Sequence, residues 1–317
     1  MRTYILKRLL QLIPTIFLIS ILVFAAMRIL PGDPLLGLLG DAYDEENARA
    51  LRQEYGLDEP IVVQYIVWLG HLVQGDWGSS ILNGRPVLSD LLWYLPVSVE
   101  LILAALVVSL SIALPAGMLA ATRRNTWVDY SAMSTALVGI STPDFFFGVL
   151  LLILFTIRLN WLPSSGWVAL SQSFWGHISH LLMPAVTLGV SHAAILTRLI
   201  RGTMLEVIRM EYITTARAKG LSGGRVVVKH ALKNALIPVV TILGLQLGFL
   251  IGGAVVVETL FAIPGLGSYG LQAMLTRDYP QVQGFILFVA LVFTGSNVVV
   301  DLLYAVLDPR IRYETTR

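Results

Sequence analysis

Six stretches of the chain run for roughly the length of a membrane crossing with little or no charge, separated by polar, glycine- or proline-containing segments: residues 9–29, 101–121, 130–157, 181–197, 235–257 and 284–307. A bilayer core about 30 Å thick is crossed by about 20 residues of helix. Within it only helices or closed barrels satisfy their own backbone hydrogen bonds. The pattern therefore predicts an all-α, polytopic membrane protein with six transmembrane helices. The first run follows Arg2, Lys7 and Arg8, as a secretory signal would, but its 21 residues exceed the usual apolar stretch of about 7 to 15. We read it as a retained helix.

Composition agrees with that pattern. Of the 317 residues, 56% are hydrophobic and 13% charged, against about a quarter charged in soluble domains. A net charge of +2 gives no electrostatic footprint for nucleic acid. The absence of cysteine excludes disulfides, thiolate metal sites and cysteine nucleophiles.

Where the charges fall sets the expected orientation, because cationic loops stay on the cytoplasmic side. One set of connections holds sixteen of the 22 Lys and Arg residues: Arg2, Lys7, Arg8, Arg123, Arg124, Arg198, Arg201, Arg209, Arg217, Lys219, Arg225, Lys229, Lys233, Arg310, Arg312 and Arg317. The opposite set holds five, Arg49, Arg52, Arg85, Arg158 and Arg277, with Arg28 at a boundary. Both termini and the loop 198–234 are thus expected in the cytoplasm. The chain divides into an N-terminal transmembrane helix (1–30), an extracytoplasmic segment (31–96) and a five-helix core (97–317). In the outer segment Asp44 is expected to cap a helix that runs to Tyr55 and ends at Gly56. Pro60 is expected to open a second one through Gln74. That second helix is amphipathic, with Ile61, Tyr65, Ile66, Leu69, Leu72 and Val73 available to pack on the spans or to lie among headgroups.

Residues with chemical potential are few. No Gly-Lys dipeptide occurs, so the phosphate-cradling G-x-x-x-x-G-K loop is absent and ATP must be bound by another chain. His177 and His180 have metal-ligand spacing without a third ligand nearby, and are expected as solvated or interfacial side chains with no metal. Ser191 and His192 are adjacent and point to different helix faces, which disfavours a serine nucleophile; packing through small residues explains this stretch better. Asp144 follows Pro143 inside the third apolar run. It either lines a polar path, since a carboxylate in lipid is costly, or caps a helix beginning near Phe145. Asp301 is expected to pair with a basic residue of the cytoplasmic loop. Pro14, Pro115, Pro184 and Pro238 sit where they can kink spans.

The most informative segment is the loop 198–234. Residues 211–219 have the propensity for a short helix, Ala216 and Ala218 offer small side chains to an approaching partner, and Gly220 can supply a left-handed residue to end it. A lipid-surface helix held by Arg217 and Lys219 is the competing reading.

At this point the chain resembles the permease subunits of the dipeptide, oligopeptide, glutathione and nickel importers of the ABC class. The resemblance runs almost end to end. It rests on Leu30-Pro-Gly-Asp-Pro34, Gly75-Asp-Trp-Gly-Ser79 with Arg85-Pro-Val87, Glu211-Tyr-Ile-Thr-Thr-Ala-Arg-Ala-Lys-Gly-Leu221 and His230-Ala-Leu-Lys-Asn-Ala-Leu-Ile-Pro238. It continues through Glu258-Thr-Leu-Phe-Ala-Ile-Pro-Gly-Leu-Gly267, Arg277-Asp-Tyr-Pro280, and Asp301-Leu-Leu-Tyr304 with Asp308-Pro-Arg-Ile-Arg312.

The resemblance implies a type I importer permease fold, MetI-like, in a bacterial or archaeal inner membrane. It makes Glu211, Tyr212, Thr215, Ala216, Arg217, Ala218, Lys219, Gly220 and Leu221 the loop that couples to an ATPase, although Thr214 stands where the general pattern has glutamate. It further implies a second permease, two ATPases that bind ATP and magnesium, and an extracytoplasmic solute-binding protein. Competing classes are an intramembrane enzyme, for which the serine, histidine and carboxylate candidates are scattered, and a secondary transporter, which leaves the loop helix unexplained.

Overall fold

The computed structural model describes residues 2–29 and 58–307, without the side chains of residues 2–9, 29, 245, 247, 249 and 299–307. The helix expected from Asp44 to Tyr55, the side chain of Asp301 and the segment Asp308–Arg312 lie outside what is described. The described chain is almost entirely helical. Five helices are long and apolar enough to cross a membrane, six if one sharply bent pair counts as a single span.

In chain order the helices are α1 (Arg2–Ile29), α2 (Ile61–Val73), α3 (Val87–Thr122), α4 (Trp127–Ser141), α5 (Asp144–Leu151), α6 (Phe174–Ile208), α7 (Glu211–Ala218), α8 (Lys233–Leu260), α9 (Leu266–Leu275) and α10 (Tyr279–Leu307). Two π-helical turns interrupt them. Leu152–Arg158 extends α5, and Val226–Leu232, entered through the turn Gly223–Arg225, leads into α8.

The third apolar run, counted as one span, is broken: α4 and the helix Asp144–Arg158 meet at 103°. Pro143 causes the break, since its ring excludes the preceding Thr142 from helical backbone; Thr142 is extended, with ψ 123°. The four prolines expected to kink spans lie within helices, Pro14 in α1, Pro115 in α3, Pro184 in α6 and Pro238 in α8, and the sharp bend is at Pro143 instead. Helix α6 runs well beyond the expected 181–197. Ser173 caps it by accepting from the Gly176 amide at 3.1 Å, and it continues to Ile208, carrying Arg198 and Arg201 within the helix.

The chain forms two compact units, residues 1–96 with 265–295 and residues 97–264 with 296–317. In the first, α2 packs on α1 through Tyr65, whose hydroxyl lies 2.8 Å from that of Ser20 and whose ring stacks edge-on to Phe17 and Phe24. Tyr65, Trp68, Leu69 and Leu72 form the half-buried face of α2. Ile61, Ile66 and Val73, expected on that face, are exposed with Val62 and Val67. The unit's core gathers Val87, Leu91, Leu266, Tyr269, Phe285 and Phe288. The Ser80 hydroxyl donates to Asp278 Oδ2 at 2.5 Å, tying the loop before α3 to the α9–α10 junction.

The second unit holds two apolar clusters along α3, α6 and α8. One contains Ala105, Leu188 and Leu250, the other Ala113, Leu196, Ile200 and Val239. Helices α3 and α6 approach so closely that a Cβ at Gly189 would lie 2.7 Å from the Ala105 carbonyl oxygen, and one at Gly117 would lie 2.8 Å from the Ile200 side chain. Small residues at such points let backbones meet without side chains between them.

Candidate functional site

Helix α6, which leads into the loop that precedes α8, is tied near its end by a buried ion pair. Asp129, in the first turn of α4, is 1% exposed and receives Arg201 of α6 bidentately, Nε on Oδ1 at 2.5 Å and Nη2 on Oδ2 at 2.7 Å. The Asn125 backbone N–H, on a residue with φ 60°, also donates to Oδ2 at 3.0 Å. A planar guanidinium matched to both carboxylate oxygens is the pairing that best repays desolvation. The end of α6 is thereby fastened to the start of α4, three residues after Arg198 and ten before α7. The sequence marks this pair only as two charges bordering apolar runs, with nothing to show that they meet.

Helix α7 forms where the loop sequence predicts it. Glu211 lies in its first turn, where the amide dipoles favour an acid, and Arg217 in its last, where they favour a base. Lys219 is the C-cap and Gly220 follows with φ +79°, a left-handed position open to glycine at no steric cost. Ile213 and Ala216, three residues apart and so on one face, are buried in the cluster of Leu196, Ile200, Met204, Val226 and Val239.

This corrects the expectation that Ala216 and Ala218 together present a small-residue face to a partner. Ala216, 8% exposed, turns into the chain's own core. Two residues of helix separate it from Ala218 by about 200° around the axis, so Ala218 is exposed beside Thr214, Thr215, Arg217 and Lys219. Tyr212 ties α7 to the next span: the Asn234 side-chain amide donates to its hydroxyl oxygen at 2.7 Å and to the His230 carbonyl at 3.2 Å. Leu221 packs against the same core as Ile213.

Asp144 is the first residue of α5, after Pro143 at the N-cap, and makes no capping hydrogen bond. Its carboxylate is half-buried, 3.7 Å from where a Cβ would stand on Gly253 of α8, and acts electrostatically on His192 of α6. The helix thus begins where the capping alternative put it, and the side chain turns toward α6 and α8 rather than back onto free amides.

His177, expected to be solvated or interfacial, is buried. Its Nδ1 lies 2.8 Å from the Val168 carbonyl oxygen and its Nε2 2.8 Å from Glu100 Oε1, with Trp167 edge-on at 5.0 Å. His180 Nδ1 lies 2.7 Å from the Gly176 carbonyl oxygen. Both imidazoles are engaged with protein groups, and among the described residues no group of three or more His, Asp or Glu is arranged to hold a metal ion. A further buried acid missed as a candidate is Glu258, near the end of α8, which accepts from the Ser98 hydroxyl of α3 at 2.6 Å.

Taken upward from residues, the arrangement is a broken-span bundle with a short helix buttressed at one end and isolated polar residues inside. The Ser179 hydroxyl lies 3.4 Å from His180 Nδ1, but both atoms are turned onto the Gly176 carbonyl oxygen, at 2.8 and 2.7 Å, and so are not set as nucleophile and base.

Comparison with known proteins accounts for that architecture. Residues 113–313 match the family model described as binding-protein-dependent transport system inner membrane component, and residues 1–102 match the model for its N-terminal part. A protein of Brucella abortus (strain 2308) named as a peptide transport system permease is 43% identical over 314 residues, covering 99% of this chain and 100% of that one. The glutathione transport system permease protein of Escherichia coli (strain K12) is 42% identical with the same coverage. An inward-facing structure of the MetNI methionine ABC transporter shares the fold, with a TM-score of 0.54 at 19% identity over 69% of this chain and 96% of that one. The chain belongs to the binding-protein-dependent transport system inner membrane components, as a permease subunit of an ABC importer with the type I importer fold.

Proposed function

We propose that the permease conducts short peptides and takes its drive from an ATPase docked on α7. The observation that carries this reading is the construction of α7 itself: one face, Ile213 and Ala216, is sunk in the subunit's core, while Thr214, Thr215, Ala218 and Lys219 stand outward. A helix so anchored moves with α6 and α8 instead of folding away when pushed. Peptide is favoured over nickel because the relatives compared are named for peptide and glutathione transport, glutathione being itself a tripeptide.

In this reading both termini and α7 face the cytoplasm, following the sixteen-to-five distribution of Lys and Arg. A second permease completes the path, with Asp144 bordering it. Two ATPases bind ATP and magnesium, and an extracytoplasmic binding protein delivers solute. ATP shifts the assembly between inward- and outward-open states only insofar as it binds one of them better.

The test uses the outward face. Ala218→Glu and Thr215→Glu are expected to insert and to pair with the partner permease, yet to lose uptake and the stimulation of ATP hydrolysis by loaded binding protein. Wild-type uptake in both variants would assign α7 to the lipid surface instead. Because the chain has no cysteine, single cysteines at Asn125 and Asn83 report sidedness without background. Only the second is expected to react with an impermeant thiol reagent added outside.

A further inference from the structure

Three helices of the second unit each carry one buried polar residue where one apolar cluster gives way to the other. On α3, Ser109 lies between Ala105 of one cluster and Ala113 of the other; on α6, His192 lies between Leu188 and Leu196; on α8, Gln246 lies between Leu250 and Val239. The first two pairs flank their polar residue at four-residue spacing, which keeps all three on one helix face.

The register between α3 and α6 is set on both sides of this level. Gly189 meets Ala105 on one side and Gly117 meets Ile200 on the other, so Ser109 and His192 fall between the same two contacts on facing helices. Helix α8 is aligned by Gly253, which abuts Leu188. Ser109, His192 and Gln246 are 1%, 8% and 4% exposed. Among the described residues, the Ser109 hydroxyl, His192 Nδ1 and both amide atoms of Gln246 find no hydrogen-bond partner. Buried polar groups in native proteins are paired with protein or with ordered water.

We propose that Ser109, His192 and Gln246 form an internal water-binding site between α3, α6 and α8. The donor set fits water: a hydroxyl that gives and accepts, an amide that does both through separate atoms, and one imidazole nitrogen. None of the three supplies a carboxylate or a permanent cation, the fixed charges on which most ion sites rest, so a neutral ligand suits the set best. A transported solute is excluded because the chain's own helices enclose all three side chains. Water at this level joins the three helices through bonds that exchange readily, where the apolar clusters on either side join them through fixed contacts.

The experiment is a structure of the full chain with its co-purified partners in lipid nanodiscs, in a map that shows ordered waters. A water peak within about 2.7–3.2 Å of at least two of the three side chains is expected. A level without water, or with the side chains bonded to one another or to a partner subunit, overturns the site. Thermal unfolding gives an independent reading in the same preparation. With water present, the double variant Ser109→Ala, Gln246→Leu strands His192 Nδ1 and lowers the unfolding midpoint. An unchanged or raised midpoint means that unpaired polar groups were relieved, and also overturns the proposal.

Discussion

Arg201 holds Asp129 through two parallel hydrogen bonds, across 72 residues of sequence and ten residues before α7. Removing one member of a buried pair leaves the other charged and unpaired, at a cost of about 3–5 kcal/mol. Because Arg201 remains a quarter exposed, Arg201→Ala is expected at the lower end, about 3 kcal/mol, measured by thermal or denaturant unfolding in detergent. The double variant Asp129→Leu, Arg201→Met is expected to be more stable than either single change. A double variant as unstable as the sum of the singles would mean that the two residues act separately.

Gly220 terminates α7 at φ +79° with nothing within 4 Å of an added Cβ. The cost of a side chain there is therefore a backbone cost alone, about 1–2 kcal/mol for alanine in left-handed geometry. Gly220→Asn is expected to be mildest, Gly220→Ala intermediate and Gly220→Val worst, in unfolding midpoint and in ATP-driven uptake alike. Equal behaviour of the three variants would remove the left-handed turn from the account of the loop.

Gly189 differs in kind, since its Cβ would meet a backbone oxygen that no rotamer change can move. Gly189→Ala must push α3 and α6 apart and is expected to cost about 1–3 kcal/mol. Gly202→Ala, on the same helix with open space around it, is expected to gain up to about 1 kcal/mol from helix propensity. Unfolding midpoints of the two variants moving in the same direction would contradict the close approach.

Outside the spans, Asp76 accepts from the Gly78 amide at 3.0 Å and lies 3.0 Å from His71 Nδ1. The His71 contact, with help from the Gly78 amide, holds its carboxyl below the usual range. A depressed carboxylate stabilises the fold above its ordinary value near 4, and that contribution is lost as pH falls through the lower folded-state value. Exchange of the Gly78 amide, corrected for intrinsic rate, is expected to accelerate only below about pH 4, and Asp76→Asn to abolish the dependence. A break centred near neutrality would point to another group.

The spans and the short loop helix were readable from the sequence because each rests on local information: uncharged length for the first, helix propensity and a trailing glycine for the second. The 103° bend was not. A proline within an apolar run states only that a hydrogen bond is missing, and its neighbours decide whether the helix kinks or turns aside. The inward rotation of Ala216 was likewise hidden, since which face of an eight-residue helix is buried depends on where its ends are tied. Arg201 with Asp129 and His177 with Glu100 are pairings between distant segments that no spacing rule brings together.

The π-helical turn Val226–Leu232 stands between α7 and the long helix α8. Such a turn amounts to one residue more than an α-helix would use over the same rise, and one residue of α-helix is about 100° of rotation. Deleting a single residue from Val226–Leu232 would therefore let the turn relax to α-helix with the residues on either side still in phase, so that Tyr212 keeps its place beside Asn234. The same deletion within the α-helical Lys233–Leu260 meets no surplus residue and would turn the loop helix by about 100° against the far part of the span. The π turn is in this sense slack in the shaft: a residue lost there is taken up, and one lost further along is passed on as rotation.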